Sequence, residues 1–325
     1  MKPSDSHFVE IGIDLVNGSR LLTAVSYEPR FIESLRRTLS KGSFSEVHLL
    51  VFRDYFDEGS AFDSEAVLNY RRNYEKATEL IRASGADASP VRLALDDLPS
   101  FVSTITEFDT ANLIVDISTF PRSYVLLLLR FAQPSPVALV YTRGRARRTE
   151  EDAYTVGVRD VVALPGFEGE VGHKPTLLVL SLGYEGARAY KLFRQYEPTA
   201  TLALLGDPGD MDAEREHILE TVKRNNANLL ATDAVCYRTL PSYDPVAFAD
   251  QAEIYIDQMI EHIRLTHGSE VDVIVSPIGT KIQALGLFQL WQRRQNYQVA
   301  YPVPSVRRLG TAEVGPTLGY LRVTG

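Results

Sequence analysis

A glycine, a threonine and a lysine in succession form the segment of this sequence best suited to bind an anion. Gly279-Thr280-Lys281 follows an apolar run and precedes a helical pattern. At such a junction the backbone offers unpaired N–H groups beside a hydroxyl and an ammonium group, and phosphate groups bind to these donors. The alternative is a structural role, in which Gly279 makes the turn, Thr280 caps the helix and Lys281 is solvated.

A comparable set of polar residues occurs in the first half of the chain. Ser118 ends the predicted strand 111–118, and Thr119 and Arg122 follow it before another apolar helical pattern. Arginine stands here in place of lysine, and there is no glycine. The first half therefore offers a hydroxyl and a cation at an equivalent junction.

Tyrosine, glutamate and arginine recur after another pair of apolar runs, 22–26 and 177–183. The residues concerned are Tyr27, Glu28, Arg30, Tyr184, Glu185 and Arg188. Tyrosine rings stack on nucleobases and arginines bind phosphate, while the glutamates can pair with the arginines or accept from an exocyclic amine. The alternative is that these residues cap helices and form surface ion pairs.

The segment 271–304 shows which elements must position these residues. Its first five residues are rich in β-branched side chains, which is typical of a buried parallel strand. Residues 282–293 have apolar side chains at helical spacing, and residues 297–301 predict another strand. The same order of strand, polar loop, helix and strand occurs at 111–141. The polar residues are thus predicted at the carboxyl ends of parallel strands.

The similarity between the two halves extends along the chain. Matching landmarks are 153 to 161 residues apart, namely Asp54 and Asp207, Tyr27 and Tyr184, Val156 and Val314, Tyr141 and Tyr301, and Thr119 and Thr280. A spacing that drifts so little over five landmarks indicates an internal duplication.

Alternating strands and helices in each half predict a mostly parallel sheet with helices on both faces. The predicted fold class is α/β, with two tandem Rossmann-like units at 1–165 and 176–325 and a linker at 166–175 that is rich in glycine and proline. Residues 8–14 and 21–26, separated by Asn17-Gly18, predict a β-hairpin that leads into the first unit.

The composition argues against several classes of protein. A net charge of -8 over 325 residues is unlike that of proteins that bind nucleic acid nonspecifically. The single cysteine, Cys236, excludes an intramolecular disulfide and favours a reducing compartment. Signal-peptide and membrane-spanning runs are missing from the sequence, as are metal-ligand, P-loop and dinucleotide motifs. We therefore expect a cytoplasmic protein without membrane contact, metal or cofactor.

The most basic stretch of the chain is 143–152, where four arginines precede three acidic residues. A loop of mixed charge is usually solvated surface. The alternative is a lid over an anionic ligand.

In the order of their elements, the two halves resemble the CRISPR-associated Rossmann fold (CARF) sensor domain, and the fused pair resembles the SAVED arrangement. Gly279-Thr280-Lys281 is similar to the Gly-Thr-Lys loop of that family. The resemblance implies a cyclic oligonucleotide bound in a crevice between the halves, with contacts from Thr280 and Lys281 and from Thr119 and Arg122. Because the first half lacks the glycine and the lysine, the resemblance also implies an asymmetric ligand or binding by the second half alone.

Three functions are compatible with these residues. The first is a sensor of a nucleotide second messenger that signals to a separate effector protein in prokaryotic antiviral defence. The second is a metal-independent enzyme that processes a nucleotide or phosphodiester. The third is a structural adaptor in which the duplication serves only folding and assembly. The sequence leaves open whether the two halves face each other or lie side by side.

Overall fold

The computed structural model describes residues 6–11, 19–56, 64–108, 112–132, 138–144, 155–209, 214–307 and 314–324. The chain divides into two compact units. The first unit contains Ser6–Arg145 and Val306–Gly325, and the second contains Ala146–Ser305. The chain therefore leaves the first unit after Arg145 and returns to it at Val306.

The strands in the described residues are β1 (Ser6–Ile11), β2 (Ser19–Ala24), β3 (Phe44–Phe52), β4 (Asp87–Leu93), β5 (Leu113–Asp116), β6 (Ala138–Gly144), β7 (Thr155–Val156), β8 (Asp160–Ala163), β9 (Thr176–Leu182), β10 (Ala200–Asp207), β11 (Val235–Pro241), β12 (Asp272–Pro277), β13 (Gln298–Val303), β14 (Val306–Arg307) and β15 (Val314–Thr324). The helices are α1 (Arg30–Leu39), α2 (Ser64–Ala83), α3 (Leu98–Glu107), α4 (Arg122–Phe131), α5 (Gly186–Tyr196), α6 (Arg215–Asn225), α7 (Ala227–Leu230), α8 (Pro245–His267) and α9 (Lys281–Arg293).

The sheet of the first unit has the strand order β1-β15-β6-β5-β2-β3-β4. The five strands from β6 to β4 in that order run parallel, and helices α1 to α4 connect them in chain order from β2 to β6. Strand β5 is buried along its whole length, as its three apolar residues before Asp116 predict. Strand β15 pairs antiparallel with β6 on one side and with β1 on the other.

The sheet of the second unit has the strand order β11-β10-β9-β12-β13-β8. Its strands β9 to β13 are parallel, and β8 pairs antiparallel with β13. Counted from the first parallel strand of each unit, both sheets have the order 3-2-1-4-5. The predicted α/β class with two Rossmann-like units is confirmed, and the duplication that the shared order supports stays a prediction.

In each unit one strand of the sheet comes from the opposite half of the sequence. This strand pairs antiparallel with the fifth parallel strand. Strand β8, which follows the first half, pairs with β13, whereas β15, at the end of the second half, pairs with β6. The two compact units therefore do not coincide with the two halves of the sequence, because β8 extends the sheet of the second unit and β15 that of the first. The boundary at 166–175 stays a prediction.

The predicted hairpin between residues 8–14 and 21–26 is wrong. Strand β2 has β3 and β5 as its neighbours, so both of its edges are occupied by parallel partners. Strand β1 pairs with β15 instead. The turn at Asn17-Gly18 and the last residues of the first predicted strand lie outside the described residues.

Helices cover both faces of each sheet, as right-handed crossovers require for this strand order. In the first unit α1 packs on α2 and α3 on α4, and in the second α5 packs on α6 and α7 and α8 on α9. The helices after the fourth strands are the most deeply buried, since residues 123–129 of α4 and 281–291 of α9 are all buried. These two helices hold the predicted anion-binding segments at their amino ends.

Candidate ligand-binding site

In each unit the first and fourth parallel strands are neighbours, and the loops that follow them leave the sheet together. Thr23 of β2 is level with Asp116 of β5, and Ser181 of β9 is level with Pro277 of β12. Crossover connections for this strand order put the helices after these two strands on opposite faces, which makes this position the topological switch point of the sheet. The switch point of an open α/β sheet is the usual place for a ligand.

All the predicted site residues lie at these two switch points. Those of the first unit are Tyr27, Glu28, Arg30, Ser118, Thr119 and Arg122, and those of the second are Tyr184, Glu185, Arg188, Gly279, Thr280 and Lys281. Within each unit the structure brings together two loops that are far apart in the sequence, because the strands before them are neighbours in the sheet.

The first-unit loops are joined by hydrogen bonds and an ion pair. The Thr119 hydroxyl donates to the Ala24 carbonyl at 2.7 Å, which links the loop after β5 to the end of β2. The Arg30 Nε donates to Glu28 Oε2 at 2.6 Å, and both side chains are about nine-tenths buried. The predicted pairing of this glutamate with its arginine is therefore observed, and it fixes the start of α1.

Ser118 belongs to a buried polar network behind the first switch point. Its backbone N–H donates to Asp116 Oδ1 at 3.0 Å, and the Ser34 hydroxyl donates to Asp116 Oδ2 at 2.7 Å. Burial raises the pKa of Asp116, although the hydrogen bonds from Ser118 and Ser34 oppose the shift. The Ser118 hydroxyl also accepts from the backbone N–H of Thr142 at 2.7 Å, so the network ties this loop to β6.

Arg188 occupies the most enclosed position among the predicted cations. Its side chain is 1% exposed, and Nη1 donates to Glu185 Oε2 at 2.9 Å. Nη2 donates to the Pro302 carbonyl, and the guanidinium lies 5.2 Å from the centre of the Tyr301 ring. Burial alone lowers the pKa of Arg188, but Tyr301 and Glu185 together raise it above its ordinary value. Arg188 thus joins the loop after β9 to the end of β13.

The amino end of α9 is closed by a capping box. Thr280 Oγ1 accepts from the Gln283 backbone N–H at 3.2 Å, and Gln283 Oε1 accepts from the Thr280 backbone N–H at 2.6 Å. The structural alternative for Thr280, that it caps the helix, is therefore observed. Lys281 is only 8% exposed, so its structural alternative, a solvated side chain, is not observed.

Close packing explains the glycines in the second unit. A Cβ atom on Gly183 would lie 2.5 Å from the Ile278 carbonyl oxygen, and one on Gly279 would overlap the Gln283 carboxamide. The Gly279 backbone N–H donates to the Ser181 hydroxyl at 3.2 Å. The loops after β9 and β12 thus touch through their backbones, which leaves no room for side chains between them.

Most of the predicted site residues are buried, whereas Arg122, Tyr184 and Thr280 are half-buried. Arg122 supplies a guanidinium at the switch point of the first unit, and Tyr184 and Thr280 supply a phenol ring and a hydroxyl at that of the second. The buried residues join the loops to each other and to the strand ends. The first switch point thus offers a cation to an anion, and the second offers a ring and a hydroxyl to an aromatic group.

Two asparagines at the switch points were missed by the sequence analysis. Asn73 of α2 donates to the Ser26 carbonyl at 2.8 Å, and Asn226 donates to the Gly183 carbonyl at 2.9 Å. They are 153 residues apart, which is also the spacing of Asp54 and Asp207. A search for identical polar residues at the repeat spacing would have found them.

Neither a metal cluster nor a membrane helix is found in the part of the chain that the structure describes. The described residues include no group of three histidine, cysteine or acidic side chains able to hold a metal ion. They also include no helix both long and apolar enough to span a bilayer. The arginine-rich stretch at 145–152 lies outside the described residues.

Comparison with known proteins identifies a fold but not a family. No protein-family model matches the chain, and no curated protein sequence matches it. A solved structure with a similar fold is that of a Type III CRISPR defence DNA nuclease activated by cyclic oligoadenylate, with a TM-score of 0.51 and 10% identity over 88% of this chain. The match spans 65% of the nuclease chain. At this identity the similarity shows the fold alone.

Other solved structures are less similar to this chain. An uncharacterized protein from Mycobacterium Paratuberculosis matches with a TM-score of 0.27 and 11% identity, over 95% of this chain and 90% of that one. An A-type ketoreductase from a modular polyketide synthase matches with a TM-score of 0.21 and 12% identity, over 96% and 84% of the two chains.

Proposed function

We propose that this chain is a sensor that binds an anionic nucleotide-type ligand, of the cyclic oligonucleotide class, and signals to a separate effector protein in antiviral defence. The observation that carries the proposal is the meeting of the two polar loops at the switch point of each unit. The similar fold of a nuclease that is activated by cyclic oligoadenylate suggests which anion to test first.

The charges at the switch points suit such a ligand. The chain as a whole carries a net charge of -8, so an anion needs local cations to bind. Arg122 begins α4 and Lys281 begins α9, which puts one cation at the amino end of a helix in each unit. A helix amino end itself favours a negative charge. We assign the phosphate contacts to Arg122 and Lys281, with Thr119 and Thr280 beside them.

Tyr27 and Tyr184 supply the aromatic rings on which the nucleobases of the ligand stack. Tyr184 is half-buried at the end of β9, and Tyr27 is 6% exposed at the end of β2. A base that stacks on an aromatic ring gains about 1–3 kcal/mol. Residues 26–30 and 183–188 form the two tyrosine loops, and the ion pairs of Glu28 with Arg30 and of Glu185 with Arg188 hold them in place. In this account both arginines act through the loop rather than through direct contact with the ligand.

The test is a thermal-shift screen of the chain against cyclic and linear oligoadenylates, dinucleotides and nucleotide sugars, followed by mass spectrometry of each mixture. A ligand at a hundred times its Kd stabilises the folded chain by about 2.7 kcal/mol. We expect a rise in Tm with an intact cyclic oligoadenylate. A rise with cleaved ligand would mean that the chain is a phosphodiester-processing enzyme, and the absence of any shift would favour the adaptor function.

A charge-matched pair of variants makes the test specific. Lys281→Ala combined with Arg122→Ala should abolish the ligand-dependent shift and change the Tm of the free chain little. The control is Lys191→Ala combined with Arg72→Ala, because both side chains are exposed and the same charge is removed from the same two units. An equal loss of the shift in both double variants would show only a general electrostatic effect.

A further inference from the structure

In each unit an asparagine carboxamide donates a hydrogen bond to the tyrosine loop. The Asn73 Nδ2 of α2 donates to the Ser26 carbonyl at 2.8 Å. The Asn226 Nδ2, between α6 and α7, donates to the Gly183 carbonyl at 2.9 Å. In both units the accepting carbonyl belongs to the residue just before the tyrosine, so each bond sets where the following side chains lie.

The two contacts are related by the same spacings as the rest of the repeat. The asparagines are 153 residues apart, and the accepting residues, Ser26 and Gly183, are 157 apart, like Tyr27 and Tyr184. The local structures nevertheless differ, because α2 is continuous at Asn73 whereas the helix of the second unit breaks at Asn226. One contact made twice in different surroundings indicates a role tied to the loop rather than to helix packing.

The backbone carbonyl groups of the tyrosine loops need hydrogen-bond donors from elsewhere in the unit. Past the strand ends, a carbonyl group has lost its partner in the sheet and must find another donor. In the first unit the Ser26 hydroxyl also accepts from the Glu28 backbone N–H at 3.1 Å. Gly183 has no side chain to do this, and the second unit instead adds a bond from Asn225 Nδ2 to the Tyr184 carbonyl at 2.8 Å.

Both asparagine side chains are removed from solvent, Asn226 almost completely and Asn73 in part. Asn226 is 2% exposed, and its Nδ2 also donates to the Val222 carbonyl at 2.8 Å, so its side chain is fixed from both sides. Asn73 is half-buried on the middle of α2. A loop held in this way loses little conformational freedom when a ligand binds, which raises affinity without adding a contact to the ligand.

We propose that Asn73 and Asn226 are positioning residues that hold the tyrosine loops in the conformation that binds the ligand. The role in affinity rests on the proposed nucleotide binding, whereas the effect on the loops does not. Asn73 acts on Tyr27 and Glu28, and Asn226, with help from Asn225, acts on Tyr184 and Glu185.

The first part of the test uses the chain without ligand. Asn73→Ala should increase hydrogen exchange of residues 26–30 and leave residues 183–188 unchanged, and Asn225→Ala should do the reverse. Asn69→Ala and Asn228→Ala are the matched controls, because these asparagines lie on α2 and α7 and form no described bond to either loop. Asn226→Ala is made as well, but Asn225→Ala keeps the test decisive if the buried variant fails to fold.

The second part measures the Kd of cyclic tetra-adenylate by calorimetry. Loss of one neutral hydrogen bond should weaken binding roughly threefold to tenfold in Asn73→Ala and Asn225→Ala, with no change in the controls. Asn73→Gln, which keeps the carboxamide, should recover part of the affinity. Unchanged exchange in the loops, or altered exchange together with an unchanged Kd, would overturn the positioning role. If the wild-type chain binds none of the probe, the proposed function fails, and unchanged or altered loop exchange still decides whether the asparagines hold the loops.

Discussion

Replacement of Arg188 by alanine separates a structural arginine from a ligand-binding one. The side chain is 1% exposed and its partner Glu185 is 8% exposed, so the variant leaves a buried carboxylate without its arginine. Removal of one partner from a buried ion pair costs about 3–5 kcal/mol. For a folding unit of this size, each kcal/mol lowers Tm by about 2–4 °C, so we expect the second unit to melt about 6–20 °C lower.

The assay is urea and thermal unfolding, combined with hydrogen exchange to assign the loss to the second unit. Arg194→Ala is the matched control, since Arg194 lies exposed on the same helix, α5, and we expect no measurable change in its Tm. Replacing Arg188 by methionine and Glu185 by leucine together should recover most of the stability, because both charges leave the interior. A wild-type Tm in Arg188→Ala, with ligand binding abolished, would refute the structural role.

Further predictions concern the glycines, the exchanged strand and the response to acid. Gly183→Ala should destabilise the second unit because its Cβ would lie 2.5 Å from a backbone oxygen, whereas Gly172→Ala, whose nearest neighbour is 3.9 Å away, should be neutral in urea unfolding. Deletion of residues 314–325 should raise hydrogen exchange in β6 and β1 of the first unit and leave β13 protected. Although β15 follows β13 in the sequence, it pairs with β6 and β1. The hydrogen bond from Arg36 lowers the pKa of Glu33 from 4.5 to about 2, so the stability from this carboxylate is complete above pH 4.5 and is lost as the pH falls towards 2. Glu33→Gln should therefore show a smaller fall in Tm between pH 5 and pH 3 than the wild-type chain, and an equal fall would contradict this.

The parallel sheets and their helices could be predicted because local sequence determines them. The β-branched run at 271–275 and the apolar spacing of 282–290 correspond to β12 and to a buried α9. The spacing of the two halves predicted equivalent strands, and both sheets have the order 3-2-1-4-5. The placement of the polar loops at adjacent strand ends follows from this order alone.

The exchange of the antiparallel strands could not be predicted in this way. Strands β8 and β15 were not predicted, and nothing in their own residues determines which edge each one joins. The same limit explains the wrong hairpin, since the Asn-Gly turn signal is local whereas the neighbours of β2 are decided by the whole sheet.

The roles of the charged residues were the hardest to predict. A helical arginine such as Arg188 is usually exposed, and only the tertiary structure shows that it is enclosed by Glu185, Tyr301 and Pro302. The asparagines at 73 and 226 do leave a signal in the sequence, because they keep the repeat spacing, but their function appears only when the loop carbonyls are located.

The most direct test of the central claim is calorimetric titration of the chain with cyclic tetra-adenylate, beside the Lys281→Ala/Arg122→Ala variant and its Lys191→Ala/Arg72→Ala control. We predict saturable binding to the wild-type chain and the control and none to the first variant. The fitted stoichiometry then separates one ligand for both units from one ligand per unit. Equal binding by all three proteins, or no binding of any cyclic oligoadenylate by the wild-type chain, would contradict the proposal.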